Sequence, residues 1–398
     1  MFKLVNETQD YAWGSRTAIP ELLGRRPEGG PVAELWMGAH PSAPSKAVTA
    51  EGVDPVPLDA LIRADPEGVL GQDVVARFGR CLPYLLKVVA VDRPLSLQVH
   101  PDVERAREGF AAENAAGIAL DDPRRNYKDP NRKPELVYAV TRFEAFSGFR
   151  APRRVAELFA GLDAPLAQTL HGVVTAEPTS RGIRTAFRRL LEPSLRPTDA
   201  EVEGVADACR RRLAEGSPSP RADRTVVALA DAYPGDPGAV TSLLLNPVTL
   251  EPGEAMFVPA GGVHAYLEGV AVEVMANSDN VLRAGLTTKH VDVAELLANV
   301  DYVAAPPIRV APEVFHGAAK VFYAPVDDFE LSVADVSGDA HPMPGRGPRV
   351  VLCLDGTVTV ASEEQEQVLA RGESVFVRAA DGPLTVRGSG RVVQADVP

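Results

Sequence analysis

Apolar residues in the first 150 positions come in short runs broken by Gly and Pro, a rhythm of strands rather than helices. Leu82-Pro-Tyr-Leu-Leu-Lys-Val-Val-Ala and Pro134-Glu-Leu-Val-Tyr-Ala-Val are clear examples, with β-branched or aromatic residues and a proline close by. From 151 to 244 the spacing turns helical. Ala151-Pro-Arg-Arg-Val-Ala-Glu-Leu-Phe-Ala-Gly-Leu, Gly182-Ile-Arg-Thr-Ala-Phe-Arg-Arg-Leu-Leu and Glu201-Val-Glu-Gly-Val-Ala-Asp-Ala-Cys-Arg-Arg-Arg-Leu each put apolar groups on one face. Loops such as Glu215-Gly-Ser-Pro-Ser-Pro separate them. Strands return over 245–310: Thr249 to Tyr266 reads strand, turn, strand, turn, strand, and a short helix is expected near Val291–Val300. Over 311–398 the runs Arg349-Val-Val-Leu-Cys-Leu, Gly356-Thr-Val-Thr-Val, Glu373-Ser-Val-Phe-Val and Gly390-Arg-Val-Val-Gln-Ala are divided by Gly- or Asp-containing turns. That rhythm predicts an antiparallel sandwich or jelly roll. Leu250-Glu-Pro-Gly-Glu-Ala-Met-Phe-Val and Leu369-Ala-Arg-Gly-Glu-Ser-Val-Phe-Val share one pattern, which suggests two related barrels. The second has no histidine after it and is expected to hold no metal.

Composition narrows the picture. A chain of 398 residues is long for one core and predicts two or three packed units. With 45% apolar and 24% charged residues, it is neither disordered nor fibrous. A net charge of −13 makes nucleic acid and anionic lipid poor partners, and an anionic substrate would need a local basic pocket. No run of about 18 apolar residues occurs, so no membrane span is expected. The opening Met1-Phe-Lys-Leu-Val-Asn-Glu lacks the apolar stretch of a signal peptide. Cys81, Cys209 and Cys353 are odd in number, far apart and form no CxxC, which fits a reducing cytoplasm and argues against a thiolate zinc site. Any metal must therefore use His, carboxylate and amide ligands, and only seven histidines are available.

Gln98 and His100 are two residues apart in a strand-like run, so both side chains share a face and can converge on one ion. Alone, the pair reads equally as a polar stripe. Glu135 opens an apolar strand after a proline, where a buried carboxylate is costly unless paired or metal-bound. His264 follows the turn Pro259-Ala-Gly-Gly-Val at the start of a strand, a pattern that resembles the cupin β-barrels, in which such a His faces the lumen. Together Gln98, His100, Glu135 and His264 make a cysteine-free N/O set suited to Zn²⁺ with an open position. Downstream, Asn277, Ser278, Asp279, Asn280, Arg283 and Lys289 crowd a polar stretch between apolar runs. It reads as a solvated loop or as a sugar-hydroxyl and phosphate pocket, with Arg283 and Lys289 supplying the positive charge.

At these residues the chain resembles the type I mannose-6-phosphate isomerases. The matching runs are Tyr11-Ala-Trp-Gly-Ser, Glu34-Leu-Trp-Met-Gly-Ala-His-Pro, Leu82-Pro-Tyr-Leu-Leu-Lys-Val, Pro94-Leu-Ser-Leu-Gln-Val-His-Pro-Asp, Lys133-Pro-Glu-Leu, Gly262-Val-His-Ala-Tyr and Asn277-Ser-Asp-Asn-Val-Leu-Arg-Ala-Gly-Leu-Thr-Thr-Lys. They span residues 11 to 289. The resemblance implies a mainly β protein: cupin-like jelly-roll barrels with an inserted α-helical domain. The N-terminal part of the catalytic barrel would be 1–150, the insertion 151–244, the rest of that barrel 245–310 and a C-terminal jelly roll 311–398. It implies one Zn²⁺ per chain on Gln98, His100, Glu135 and His264. Arg283 takes the place of the family's active-site arginine, and the pocket takes in Lys87, Ser96, Lys133, Tyr266, Glu273, Asp279 and Lys289. The substrate would be a sugar phosphate, converted between mannose 6-phosphate and fructose 6-phosphate through a cis-enediol, and the protein a monomer. Glu273, Lys133, Asp279 or a water on the zinc are candidates for the base, with Glu273 favoured by its Val-Glu-Val alternation. His40 is a weak candidate for ring opening. The family often has His where this chain has Arg132, which removes or moves any acid–base role there. Two rivals are a non-catalytic sugar-phosphate-binding cupin and an Fe²⁺ oxygenase. The intact ligand set with Arg283 argues against the first. The glutamine ligand and basic pocket argue against the second.

Overall fold

A computed structural model describes residues 1–50 and 52–398. Two antiparallel sheet systems and a helical block make up the molecule. The first system is an 11-stranded sheet whose central strand is His264–Ala276. Its first half pairs with Leu97–Val99 and Phe143–Phe149, and its second half with Tyr84–Val91 and Glu135–Ala139. One strand thus serves two sub-sheets, which is how a sheet turns a corner and closes toward a barrel. The corner is at Gly269, whose φ is 115°; a Cβ there would sit 2.4 Å from the Arg142 carbonyl oxygen. A register shift between Tyr266 and Glu268 changes the parity of the strand. As a result His264 and Tyr266, at even positions, face the same lumen as Ala271 and Glu273, at odd ones.

The lumen is filled at one end by Val89, Val137, Phe143, Ala145, Met256 and Ala271. The outer face of the Tyr84–Val91 strand packs through Tyr84, Leu86 and Val88 against Leu331, Leu352, Phe376 and Val393 of the second sheet system. Each such side chain contributes about 1.5–3 kcal/mol when fully buried. The predicted helices form Pro152–Phe159, Ser180–Leu191 and Asp199–Glu215, and a short helix covers Val293–Asn299. Thr198 and Glu201 cap the longest of these reciprocally. The helical block packs Phe187, Leu190 and Val205 on the outer side of Leu97, Val99, Phe146, Leu282 and Ala284. It therefore braces from behind the strands that carry Gln98 and Arg283.

Two sequence expectations change. The runs at Arg349 and Gly356 are one continuous strand, Arg349–Ala361, and Gly390 lies inside Leu384–Asp396. Asp355-Gly356 lies inside Arg349–Ala361, just after a β-bulge at Leu354, rather than in a turn. Gly356 has φ 76°, and a Cβ there would meet the Ser389 carbonyl oxygen at 2.0 Å. The first strand, Phe2–Val5, lies in the C-terminal sheet, between Ser374–Val377 and Lys46–Val48. Residues 1–150 therefore divide between two sheets, because a short strand's alternation does not say which sheet edge it joins.

Candidate metal centre

Nε2 of His100 lies 3.0 Å from one Glu135 oxygen, and Nε2 of His264 lies 3.4 Å from the other. The three ligand atoms fall within 4.8 Å of one another, and all three residues are buried. Each imidazole has a settled tautomer. Nδ1 of His100 is 2.7 Å from the Asn280 carbonyl oxygen, and Nδ1 of His264 is 3.0 Å from that of Gly262. A carbonyl oxygen only accepts, so both protons sit on Nδ1 and both Nε2 lone pairs face the carboxylate. Burial, and Lys133 nearby, pull the His100 pKa down to about 4, so it stays neutral. Two imidazole Nε2 atoms and a carboxylate then point at one spot, and His100 Nε2 has no hydrogen-bond partner. That donor set fits a divalent metal of zinc type, with the Nδ1 bonds orienting the ligands.

Gln98 joins this face by register. It is the cross-strand partner of His264 on one side and of Arg283 on the other, so its side chain shares their face. Ser96, two residues earlier and half-buried, has the same parity. Lys133 reaches a Glu135 oxygen at 3.5 Å.

A second carboxylate lies deeper. Glu273 accepts a hydrogen bond of 2.7 Å from the Tyr266 hydroxyl, which is also 3.0 Å from Glu135. Lys87 stands 3.6 Å from Glu273 and 3.5 Å from Glu34, above the Trp36 ring. Burial works against the charge on Lys87, but Glu34, Glu273 and Glu135 outweigh it and raise its pKa. Burial, and then Glu135, push Glu273 up to about 7, while Glu135 itself is held well below the usual range by His100 and Lys133 despite burial. Two neighbouring carboxyls are thus driven apart in acidity, a pattern that divides roles between them.

The rim carries positive charge. Arg283 and Lys289 form no ion pair among the described residues; Lys289 lies over the Tyr11 ring at 5.8 Å. Burial lowers both pKa values, and Arg283 adds to the effect at Lys289. Asp279 is half-exposed, 3.3 Å from Nε2 of His40. The Ser42 backbone N–H donates to His40 Nδ1, which leaves the His40 proton facing Asp279.

Comparison with known proteins follows the same residues. The catalytic-domain model of type I phosphomannose isomerases matches residues 1–152, and the cupin-domain model of mannose-6-phosphate isomerases matches 318–397. The mannose-6-phosphate isomerase of Escherichia coli is 42% identical over 99% of both chains, and that of Rattus norvegicus 32% identical over 96% of this chain and 95% of its own. The chain belongs to the type I phosphomannose isomerase family. A crystal structure of a variant from Salmonella typhimurium superposes with a TM-score of 0.90 at 40% identity, covering 100% of this chain and 99% of that one. A zinc-bound mannose 6-phosphate isomerase superposes with a TM-score of 0.89, also at 40% identity and the same coverage.

Within this phosphomannose isomerase fold, sequence reasoning passed over Glu34 and Trp36 as site residues, and placed Asn280 in the polar stretch with Arg283 but not as a support of His100. Glu34 and Trp36 share a lumen-facing parity with Lys87, their signal being a carboxylate inside the buried run Glu34-Leu-Trp-Met. Asn280 is fully buried; its amide nitrogen donates to the carbonyls of Asp129 and Asn131 at 2.8 Å, which aims its own carbonyl at His100. Arg132, where the family often has His, pairs with Asp328 of the C-terminal part rather than with the metal ligands.

Proposed function

We propose that this isomerase interconverts mannose 6-phosphate and fructose 6-phosphate at a zinc centre held by Gln98, His100, Glu135 and His264, through a cis-enediol. The observation that carries the proposal is the buried convergence of two fixed Nε2 lone pairs and a carboxylate within 4.8 Å. Zinc bound there supplies Lewis-acid charge to the substrate oxygens.

The chain's own side chains do the rest. Glu273 is the proposed base. Its carboxylate takes the C2 proton of the open-chain aldose and returns it to C1, and a pKa near 7 suits a group that must both accept and release a proton. The Tyr266 hydroxyl has one proton for two carboxylates, so it moves toward whichever is charged. Lys87 keeps Glu273 in place by its ion pair, and Lys133 does the same for Glu135. Arg283, without a carboxylate partner, stabilises the developing enediolate. Lys289 holds the phosphate, and with Arg283 it concentrates positive charge at the rim against a net charge of −13, while Ser96 and Asp279 hold hydroxyl groups.

A coupled assay of fructose 6-phosphate formation, with and without a chelator, tests the whole reading. Activity should vanish on metal removal and return with zinc; full activity in the metal-free protein overturns the zinc centre. Glu273 must be ionised to accept a proton, so kcat/KM should rise with pH along a limb at or below about 7, since bound zinc favours the carboxylate. Glu273→Gln should remove that limb together with most of the turnover. An unchanged limb would assign the base elsewhere.

A further inference from the structure

The molecule carries a net charge of −13, yet one cavity of about 360 Å³ is lined by four arginines and by no acidic side chain. Arg150, Arg154, Arg221 and Arg224 surround it, and Ser219 forms part of its floor. It lies on the helical side of the catalytic barrel, between the helices Pro152–Phe159 and Pro220–Ala232 and the strands Phe143–Phe149 and Leu245–Leu250.

The local charges are only partly balanced. Arg154 meets Glu157 at 2.9 Å, and Arg221 meets Glu144 at 2.6 Å. Arg150 and Arg224 make no ion pair among the described residues, and Nε of Arg150 is buried without a hydrogen-bond partner. Burial, with Arg154 and Arg221 nearby, pulls Arg150 down to about 10. Clustered guanidiniums repel one another, and an anion among them relieves that repulsion. The helix Pro220–Ala232, 13 residues long, opens at the same place. Its N-cap residue, Ser219, makes no side-chain capping bond and accepts instead from Arg154 at 3.1 Å. Uncapped N–H groups at the positive end of a helix add to the attraction for an anion.

We propose that this cavity is a second ligand site, taking a small phosphate monoester through its phosphate group. The volume is at the small end for metabolite pockets, and the forked guanidinium donors match phosphate oxygens. The site is separate from the metal centre but shares a strand with it. Phe146 lines the cavity, while the next residue, Ser147, pairs across strands with His264 and faces the other way.

The test uses zinc-loaded protein and inorganic phosphate as the calorimetric probe. Arg283→Ala with Lys289→Ala removes the rim cations of the metal centre. In that background phosphate should still bind one to one. Adding Arg224→Glu, at an exposed position, should weaken that binding about tenfold or more, the loss of one charge-assisted contact or greater. Arg224→Lys should keep most of it. Arg224→Glu alone should leave isomerase turnover unchanged. Loss of all phosphate binding with the rim cations, or residual binding that Arg224→Glu does not move, would overturn the site.

Discussion

Glu135 and Arg349 occupy the same place in two barrels. Glu135 pairs with Val258 and Ala255 with Tyr138; Arg349 pairs with Val377 and Ser374 with Leu352. The adjoining turns match bond for bond. Ala139 N–H donates to the Glu254 carbonyl at 2.9 Å and Gly253 N–H to that of Ala139; Cys353 N–H donates to the Glu373 carbonyl at 3.0 Å and Gly372 N–H to that of Cys353. In the same register Glu273 lies opposite Val137, and Gln394 lies opposite Val351. The catalytic lumen thus holds Glu135 and Glu273 where the C-terminal lumen holds Arg349 and Gln394. Arg349 is fully buried and donates to the Gly345 and Gly382 carbonyls, and its charge acts on Asp396, which faces Glu330 across the strands. Burial, and then Glu330, push Asp396 well above the carboxylate range. Both lumens contain buried carboxyl groups with a buried cation close by. The C-terminal one encloses a guanidinium and, among the described residues, leaves no ligand atoms converging; the catalytic one sets Lys87 and Lys133 beside its carboxyls and still turns two imidazole nitrogens and Glu135 toward one spot, where an ion fits. A fixed guanidinium also repels any cation from the second lumen.

The sharpest way to break this comparison is to exchange consequences. Glu135→Gln should abolish zinc retention and turnover together, read by metal analysis and the coupled assay, while leaving the fold intact. Zinc retained at full stoichiometry would show that Glu135 is not a ligand. Arg283→Ala should lower kcat about 10²–10³-fold, the scale for one lost charge stabiliser, without loss of zinc. Zinc lost with the fold intact would make Arg283 a support of the site instead. Arg349→Met should do the opposite of Glu135→Gln. It strips two carbonyls of their donor and Asp396 of a nearby cation and should cost about 3 kcal/mol in urea unfolding, with turnover per folded molecule unchanged. The smallest effect concerns the paired turns. Glu254 and Glu373 each accept the backbone N–H three residues earlier at 2.8 Å. Replacing either by Ala should cost about 1 kcal/mol, and clearly unequal losses would weaken the equivalence of the barrels.

Parts of this were legible from the chain alone. Gln98 and His100 could be paired because strand alternation is local. The related runs ending Gly-Glu-x-x-Phe-Val did mark matching strands, since a glycine turn and its returning glutamate are a local device. Tyr266 and Glu273 were harder. Seven residues apart, they share a face only because a bulge and Gly269 change the parity between them. Asn280 was out of reach as a support of His100, because its role lies in where its backbone carbonyl points. The first strand was out of reach too, since one of its two partners is contributed by the far end of the sequence.

That last pairing has a consequence for biosynthesis. Phe2 faces Phe376. At 5–20 residues per second, the ribosome needs roughly 20–80 s to make the stretch between them. Through that interval the earliest strand to emerge has an unfilled edge, and the C-terminal sheet closes only when the nearly finished chain returns to it. A ribosome stalled before Ser374 would hold a chain whose metal-ligand strands are all made but whose first strand is paired only with Lys46–Val48, its other edge open.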